Sequence, residues 1–267
     1  MTISVQREPV DFYVGRLLRN EPFSLLMYGD GEFIVAMGER VGQRLAYGEV
    51  VTPRMSAEMV RSLDAQDREL DGRDYPPIYR ATDLNLIDYE SYQGRDWQSI
   101  HAYGKRIREF LKRWDPMTFY DGTVWDTASS KGELTGFLKA IHGKDLVLVG
   151  NNKLETIPCI HARHVRVPPT DAYASIDQTE EELANMGIRE VYIFCMGLGA
   201  IPLIIRMRKR FPTSTFMDLG SVLDVLVGMG SERGWRNEMY HNQKEWARVL
   251  GLHIEGVCPD DCPYRGK

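Results

Sequence analysis

Between residues 144 and 218, short apolar runs alternate with helix-patterned segments, and each run ends in a turn rich in glycine or in polar residues. Asp145-Leu-Val-Leu-Val-Gly150 reads as a buried strand entering Gly150-Asn151-Asn152-Lys153, and His164-Val165-Arg166-Val167 as a second strand entering Pro168-Pro169-Thr170-Asp171-Ala172-Tyr173. Glu190-Val-Tyr-Ile-Phe-Cys195 is a third, ending in Met196-Gly197-Leu198-Gly199-Ala200 ahead of a helix to Arg210. Residues 213–217 are a fourth, ending in Asp218-Leu219-Gly220-Ser221. Continuous apolar strands separated by helices predict parallel strands with both faces covered, a Rossmann-like arrangement. Ligands of such sheets sit at the carboxyl ends of the strands. That edge is expected to carry Asn151, Lys153, Gly197, Gly199, Asp218 and Ser221 together.

The first half of the chain holds a related unit, SLLMYGDGEF over 24–33. Leu25, Leu26, Met27 and Tyr28 read as a strand, Gly29-Asp30-Gly31-Glu32 as an acidic turn, and 33–37 as the start of a helix. If the turn is extended, strand alternation sends Asp30 and Glu32 to one side, where both face one cation. The two glycines would let backbone approach a diphosphate and permit positive φ. A divalent ion bridging carboxylates and a diphosphate is a common way to hold a nucleotide. The plainer reading of the same residues is a β-turn, with Asp30 capping the helix and Glu32 favouring its first turn.

Around these units, a helix is expected over 10–18, a loop over 38–48, and a helix capped by Thr52 with Pro53 in its first position and extending toward Leu70. Residues 71–94 carry turn signals and tyrosines, among them Tyr79, Tyr89 and Tyr92, which either stack on sugar rings or pin loops to the body. Helices over 96–112 and 131–141 flank a strand at 117–120. A helix over 180–186 follows Asp177, which stands at capping-box spacing from Glu180.

Composition limits the classes of function. With 267 residues and 43% hydrophobic content the chain can bury a large core, as one large domain or two small ones. A net charge of -5 supplies no general positive field for a nucleic-acid backbone, so nucleic acid is the less expected partner. No run approaches the roughly eighteen apolar residues of a membrane span, and 1–12 lack a signal-like apolar region, so a cytoplasmic location is expected. Four cysteines do not make a disulfide framework at this length. Cys159 and Cys195 read as core residues; Cys258 and Cys262, with His253 nearby, fall short of a zinc ligand set.

The Gly197-Leu198-Gly199 turn, opening a helix, presents free N–H groups to an anion, although the third glycine of a dinucleotide fingerprint is missing. A plain tight turn fits the same residues. Lys153 could neutralise a phosphate, or simply be a solvent-exposed lysine at a helix start. Asp218 could accept from a ribose or activate an acceptor hydroxyl. Asp224 lies in the apolar run 222–227, where an unpaired carboxylate is costly, so a partner is expected. The basic residues Arg206, Arg208, Lys209 and Arg210 complement a helix end.

Taken together, SLLMYGDGEF, Leu148-Val149-Gly150-Asn151, the proline loop to Asp171-Ala172-Tyr173, and CMGLGA leading to MDLGSVLD resemble the GT-D fold glycosyltransferases. The resemblance spans most of the chain and implies an α/β fold, a Rossmann-like parallel sheet flanked by helices with a helical, loop-rich insert after the first strand. It implies a single domain over 1–267, with the acidic motif at 24–37, the insert at 71–103 and the Rossmann-like half at 144–228. It further implies a metal-assisted transfer from a nucleotide-sugar donor, expected to be a uridine diphosphate sugar, to a carbohydrate or small hydroxylated acceptor. Asp30 and Glu32 would hold a divalent cation, manganese or magnesium. Gly29, Gly31, Asn151, Lys153, Gly197, Leu198, Gly199 and Ser221 would contact the donor, and Glu32, Asp218 and Asp224 are the candidate bases. Where the family often carries an arginine before the acidic turn, this chain has Met27-Tyr28, which moves the expected phosphate contact toward Lys153. Two other classes fit the same residues: a nucleotide-dependent phosphotransferase or hydrolase, which lacks here the Gly-x4-Gly-Lys-Ser/Thr loop, and a non-catalytic nucleotide-sugar binding module.

Overall fold

The two expected units are parts of one sheet. The computed structural model describes residues 3–45, 48–65, 75–94, 97–131, 133–157 and 160–227. Among these, eight strands form a single sheet in the order β1-β4-β3-β2-β8-β7-β5-β6. The strands are β1 (Ile3–Gln6), β2 (Ser24–Tyr28), β3 (Ile78–Thr82), β4 (Met117–Asp121), β5 (Leu146–Gly150), β6 (Arg163–Arg166), β7 (Val191–Cys195) and β8 (Thr215–Asp218). Every pairing is parallel. The strand of the acidic motif pairs with the last strand of the second half, Ser24 opposite Phe216 and Leu25 opposite Met217.

Alternation along the strands builds two cores. Leu26, Tyr28, Val147, Val149, Tyr192, Phe194 and Phe216 face one side of the sheet. They are covered by α2 (Asp30–Ala36), α3 (Pro53–Asp64), α4 (Leu84–Ile87), α5 (Trp97–Leu111), α8 (Ile176–Met186) and α9 (Ala200–Arg210). Leu25, Leu146, Leu148, Val191, Ile193 and Met217 face the other side, under α1 (Val10–Leu18), α6 (Thr123–Lys131) and α7 (Thr135–Ile141). This division follows from the right-handed sense of parallel crossovers, which sends connections in opposite directions along the sheet to opposite faces.

The same rule creates the crevice. The chain leaves β2 into α2 and β7 into α9, both on the first face, whereas Leu219, Val222 and Leu223 after β8 pack on the second. β8 therefore stands between two strands whose exits go the other way, the arrangement that opens a ligand crevice at the carboxyl edge.

Several elements differ from expectation. Residues 71–94 are not all loop: β3 lies there, beside β2. Its run, Ile-Tyr-Arg-Ala-Thr, is interrupted by Arg80, whose guanidinium bonds the carbonyls of Leu63 and Ala65 at the end of α3, a cap for a helix carboxyl terminus. That helix stops at Asp64, before the expected limit. The helix expected over 131–141 is α7 alone, and polar residues 123–131 form the separate α6. β1 had no counterpart in the expectations. α8 begins at Ile176, so Asp177 and Glu180 lie inside it and take arginines instead of forming a capping box. Cys159, Cys258, Cys262 and His253 lie outside the described residues. Among the described residues no helix is long and apolar enough to cross a membrane.

Candidate functional site at the carboxyl edge of β2, β8 and β7

β2 ends at Tyr28, whose hydroxyl shares a 2.7 Å hydrogen bond with Ser62 on α3 inside the first core. Gly29 is extended, and α2 begins at once with Asp30. Because Asp30 and Glu32 are helical, they are set about 200° apart around the axis. The strand alternation that would have aimed both at one cation does not apply. Asp30 is exposed in the first turn, while Glu32 folds back and its carboxylate accepts the Gly29 N–H at 2.8 Å. Glycine supplies no side chain, so this is the acidic half of a capping box only.

The β7 turn lies against this helix start. A side chain on Gly31 would stand 3.6 Å from Cδ2 of Leu198, so the acidic turn and the Gly197-Leu198-Gly199 turn meet over the end of β8. Gly197 has φ of +60°, in the left-handed region that favours glycine, and 197–199 form a 3-10 turn leading into α9. The Leu198 N–H donates at 3.2 Å to the carboxylate of Glu49. The anion at this turn is thus a side chain of the protein. Glu49 is only 4% exposed, and a Cβ on residue 197 would come within 2.8 Å of its Oε1. Burial pushes its pKa up to about 7; the Leu198 N–H opposes this, and the nearby Glu32 and Asp171 add to it.

Glu49 is carried by a tight hairpin-like segment. Gly42 N–H donates to Val51 C=O, Val51 N–H to Gln43 C=O, and Leu45 N–H to Glu49 C=O. The segment reaches the loop after β6, where a Cβ on Gly48 would meet Thr170 at 3.0 Å, and Asp171 beside it has φ of 55°.

Asp218, at the end of β8, lies beneath both turns. It is 4% exposed and accepts N–H groups of Gly220, at 3.0 Å, and of Met27. Burial and the proximity of Glu32 raise its pKa well above the carboxylate range. Such a carboxyl ties β8 to β2; as a base it has little surface to offer an acceptor hydroxyl. Asp224 is half-buried; burial first, and then Asp224 and Asp218, push the Cys195 thiol up. Ser221 is half-buried in the same segment, its carbonyl accepting the Asp224 N–H.

Asn151 and Lys153 stand one strand further along, because Gly150 pairs with Cys195. The Asn151 side chain accepts the Lys153 N–H at 2.9 Å and caps the following 3-10 turn, while the Lys153 side chain is exposed. Of the three tyrosines that could stack on sugar rings or pin loops, Tyr79 takes the second role. Tyr79 is 7% exposed in the second core, edge-on to Phe12, Tyr13 and Tyr120. Tyr89 packs on His101 and Arg108 of α5, and the Tyr92 carbonyl meets the His101 ring.

Sequence reasoning missed Glu49, and little marked it: one acid in a polar loop, ahead of Val50 and Val51. Among the described residues no group of three or more His, Cys, Asp and Glu is gathered to hold a metal ion. Magnesium-like ions, however, are commonly held by one or two carboxylates plus substrate phosphates, and Asp30 with Glu32 offers that hard oxygen donor type.

No protein-family model and no curated protein matches the chain. Solved structures do. One is a glycosyltransferase of Streptococcus sanguinis containing the domain of unknown function 1792, 15% identical, with a TM-score of 0.59 over 83% of this chain and 82% of the other. Another is the domain of unknown function 1792 described as having a distinct glycosyltransferase fold, 14% identical, with a TM-score of 0.62 over 82% of this chain and 79% of the other. At such identity the likeness is one of fold.

Proposed function

We propose that the protein is a glycosyltransferase that binds a nucleotide-sugar donor at the edge formed by the β2 and β7 turns and passes the sugar to a hydroxyl acceptor. The observation that carries this reading is the contact of the two glycine turns above Asp218, on a fold shared with glycosyltransferase-fold structures. Gly29, Gly31, Gly197 and Gly199 keep that edge low enough for backbone to approach a diphosphate. Leu198 donates from its N–H, and Asn151, Lys153 and Ser221 flank it along β5 and β8. Asp30, exposed in the first turn of α2, would hold a divalent cation, manganese or magnesium, with donor phosphate oxygens, and Glu32 would join it only by leaving the Gly29 N–H; the ion would supply charge neutralisation for the departing nucleoside diphosphate.

In the transfer, the bond between the anomeric carbon and the diphosphate oxygen breaks and its electron pair leaves with the diphosphate. The acceptor oxygen bonds to that carbon, and its proton passes to a carboxylate if the reaction inverts. Glu32 and Asp224 are better placed than Asp218, since both keep some exposure. The acceptor class we favour is a carbohydrate or another small hydroxylated molecule, in keeping with the charge of -5.

Release of nucleoside diphosphate from a panel of nucleotide sugars, with and without acceptor lysate, tests the proposal. Acceptor-dependent release from one donor is expected. Binding without release would indicate a non-catalytic module, and phosphate release from nucleoside triphosphates would indicate a phosphotransferase or hydrolase.

A further inference from the structure

The most unusual group on this edge is Glu49. A carboxylate ordinarily accepts several hydrogen bonds, and a buried one is usually paired with a cation. Glu49 is almost wholly buried and accepts the Leu198 N–H, yet among the described residues it makes no ion pair. Its charged neighbours Glu32 and Asp171 are of like sign. The backbone around it nevertheless accommodates it closely: Gly197 adopts a left-handed φ, and a Cβ there would press on Oε1 at 2.8 Å. The turn is therefore shaped around an anion, and the anion in place is poorly compensated.

We propose that Glu49 is an internal stand-in for the donor diphosphate: its carboxylate occupies the Leu198 N–H in this conformation and is displaced when a diphosphate binds. This rests on the donor reading above and adds an internal competitor to it. One N–H cannot serve both anions at full strength, and a phosphate group brings more acceptor oxygens and a bound cation of its own. The described main-chain hydrogen bonds of 42–45 and 48–51 close on one another and not on the sheet, while Leu45 and Val51 stay anchored in the first core, so the Glu49 side chain can turn away without dismantling the sheet. The device favours ligands with an anion at this position and penalises those without one. A nucleoside alone gains nothing by displacing Glu49.

The test uses calorimetry on the full chain, with manganese present, for wild type, Glu49→Gln and Glu49→Ala. The probes are uridine diphosphate, inorganic pyrophosphate and uridine. Glu49→Gln keeps an acceptor for Leu198 and guards against misfolding, which melting curves also check. The expected result is diphosphate binding about tenfold tighter in both variants, with uridine unchanged. The backbone amide resonance of Leu198 separates displacement from simple charge repulsion: it should move when wild type is saturated with pyrophosphate. Unchanged or weaker diphosphate affinity in both variants, or an unmoved Leu198 amide at saturation, would overturn the proposal and leave the donor site standing. If neither wild type nor the variants bind either diphosphate, the donor reading itself fails and takes this one with it.

Discussion

Single residues decide the chemistry of the edge, and its glycines are not equivalent. Gly197 has positive φ and faces Glu49, whereas a Cβ on Gly199 would mainly meet the flexible end of Met196. Gly197→Ala should therefore cost about 1–2 kcal/mol of stability, and Gly199→Ala distinctly less. Chemical denaturation of both variants checks this ranking, and equal costs would refute the assigned role of Gly197. Glu49 gives a second expectation, from its pKa of about 7 against an ordinary 4.5. Between those values the folded protein holds a proton that the unfolded chain releases, so Glu49 lowers stability as pH rises through that window. Glu49→Gln should be more stable than wild type above pH 7, with the gap closing toward pH 4.5. Melting curves across that range would show a constant gap if burial of Glu49 is not the cause. None of this was legible beforehand, since φ at Gly197 and the burial of Glu49 both arise from contacts between segments far apart in sequence.

Elements were legible where local pattern and tertiary demand agree. α1 has the expected bounds and β2 exceeds its expected run only by Ser24, because their apolar spacing alone specifies them. β3 escaped notice because Tyr75-Pro76-Pro77 signals a turn and Arg80 breaks the apolar run; only the end of α3 explains that arginine. Charged faces also gained meaning from packing. Glu58 on α3 is 8% exposed and accepts the Tyr173 hydroxyl at 2.9 Å, Arg54 at 3.1 Å, and Arg206 of α9. Arg206 also reaches Asp177 and Glu180 of α8. This network clamps α3, α8 and α9 together behind the two glycine turns. Glu58→Ala should destabilise by about 2–3 kcal/mol, below the full cost of breaking a buried pair because Arg206 keeps two acids. A loss under half a kilocalorie in denaturant melts would place the network among ordinary surface pairs.

At the level of the complete chain, one sheet unites what read as an acidic motif and a separate Rossmann-like half. The pairing of β2 with β8 is what brings Asp30 and Glu32 to the Gly197 turn. The sequence pattern predicted parallel strands and their ligand edge, but strand order depends on crossover directions that no local pattern encodes. Asn151 and Lys153 belong to that edge one strand away, and Tyr79 belongs to the core. The joined turns are expected to bind a nucleoside diphosphate with the help of the acidic motif. The direct measurement is calorimetric titration of uridine diphosphate into wild type and Asp30→Asn, each with manganese and with chelator. Binding by wild type in manganese, lost with chelator and lost in Asp30→Asn at an unchanged melting temperature, is the predicted result. Equal binding in both conditions, or in both proteins, would contradict it.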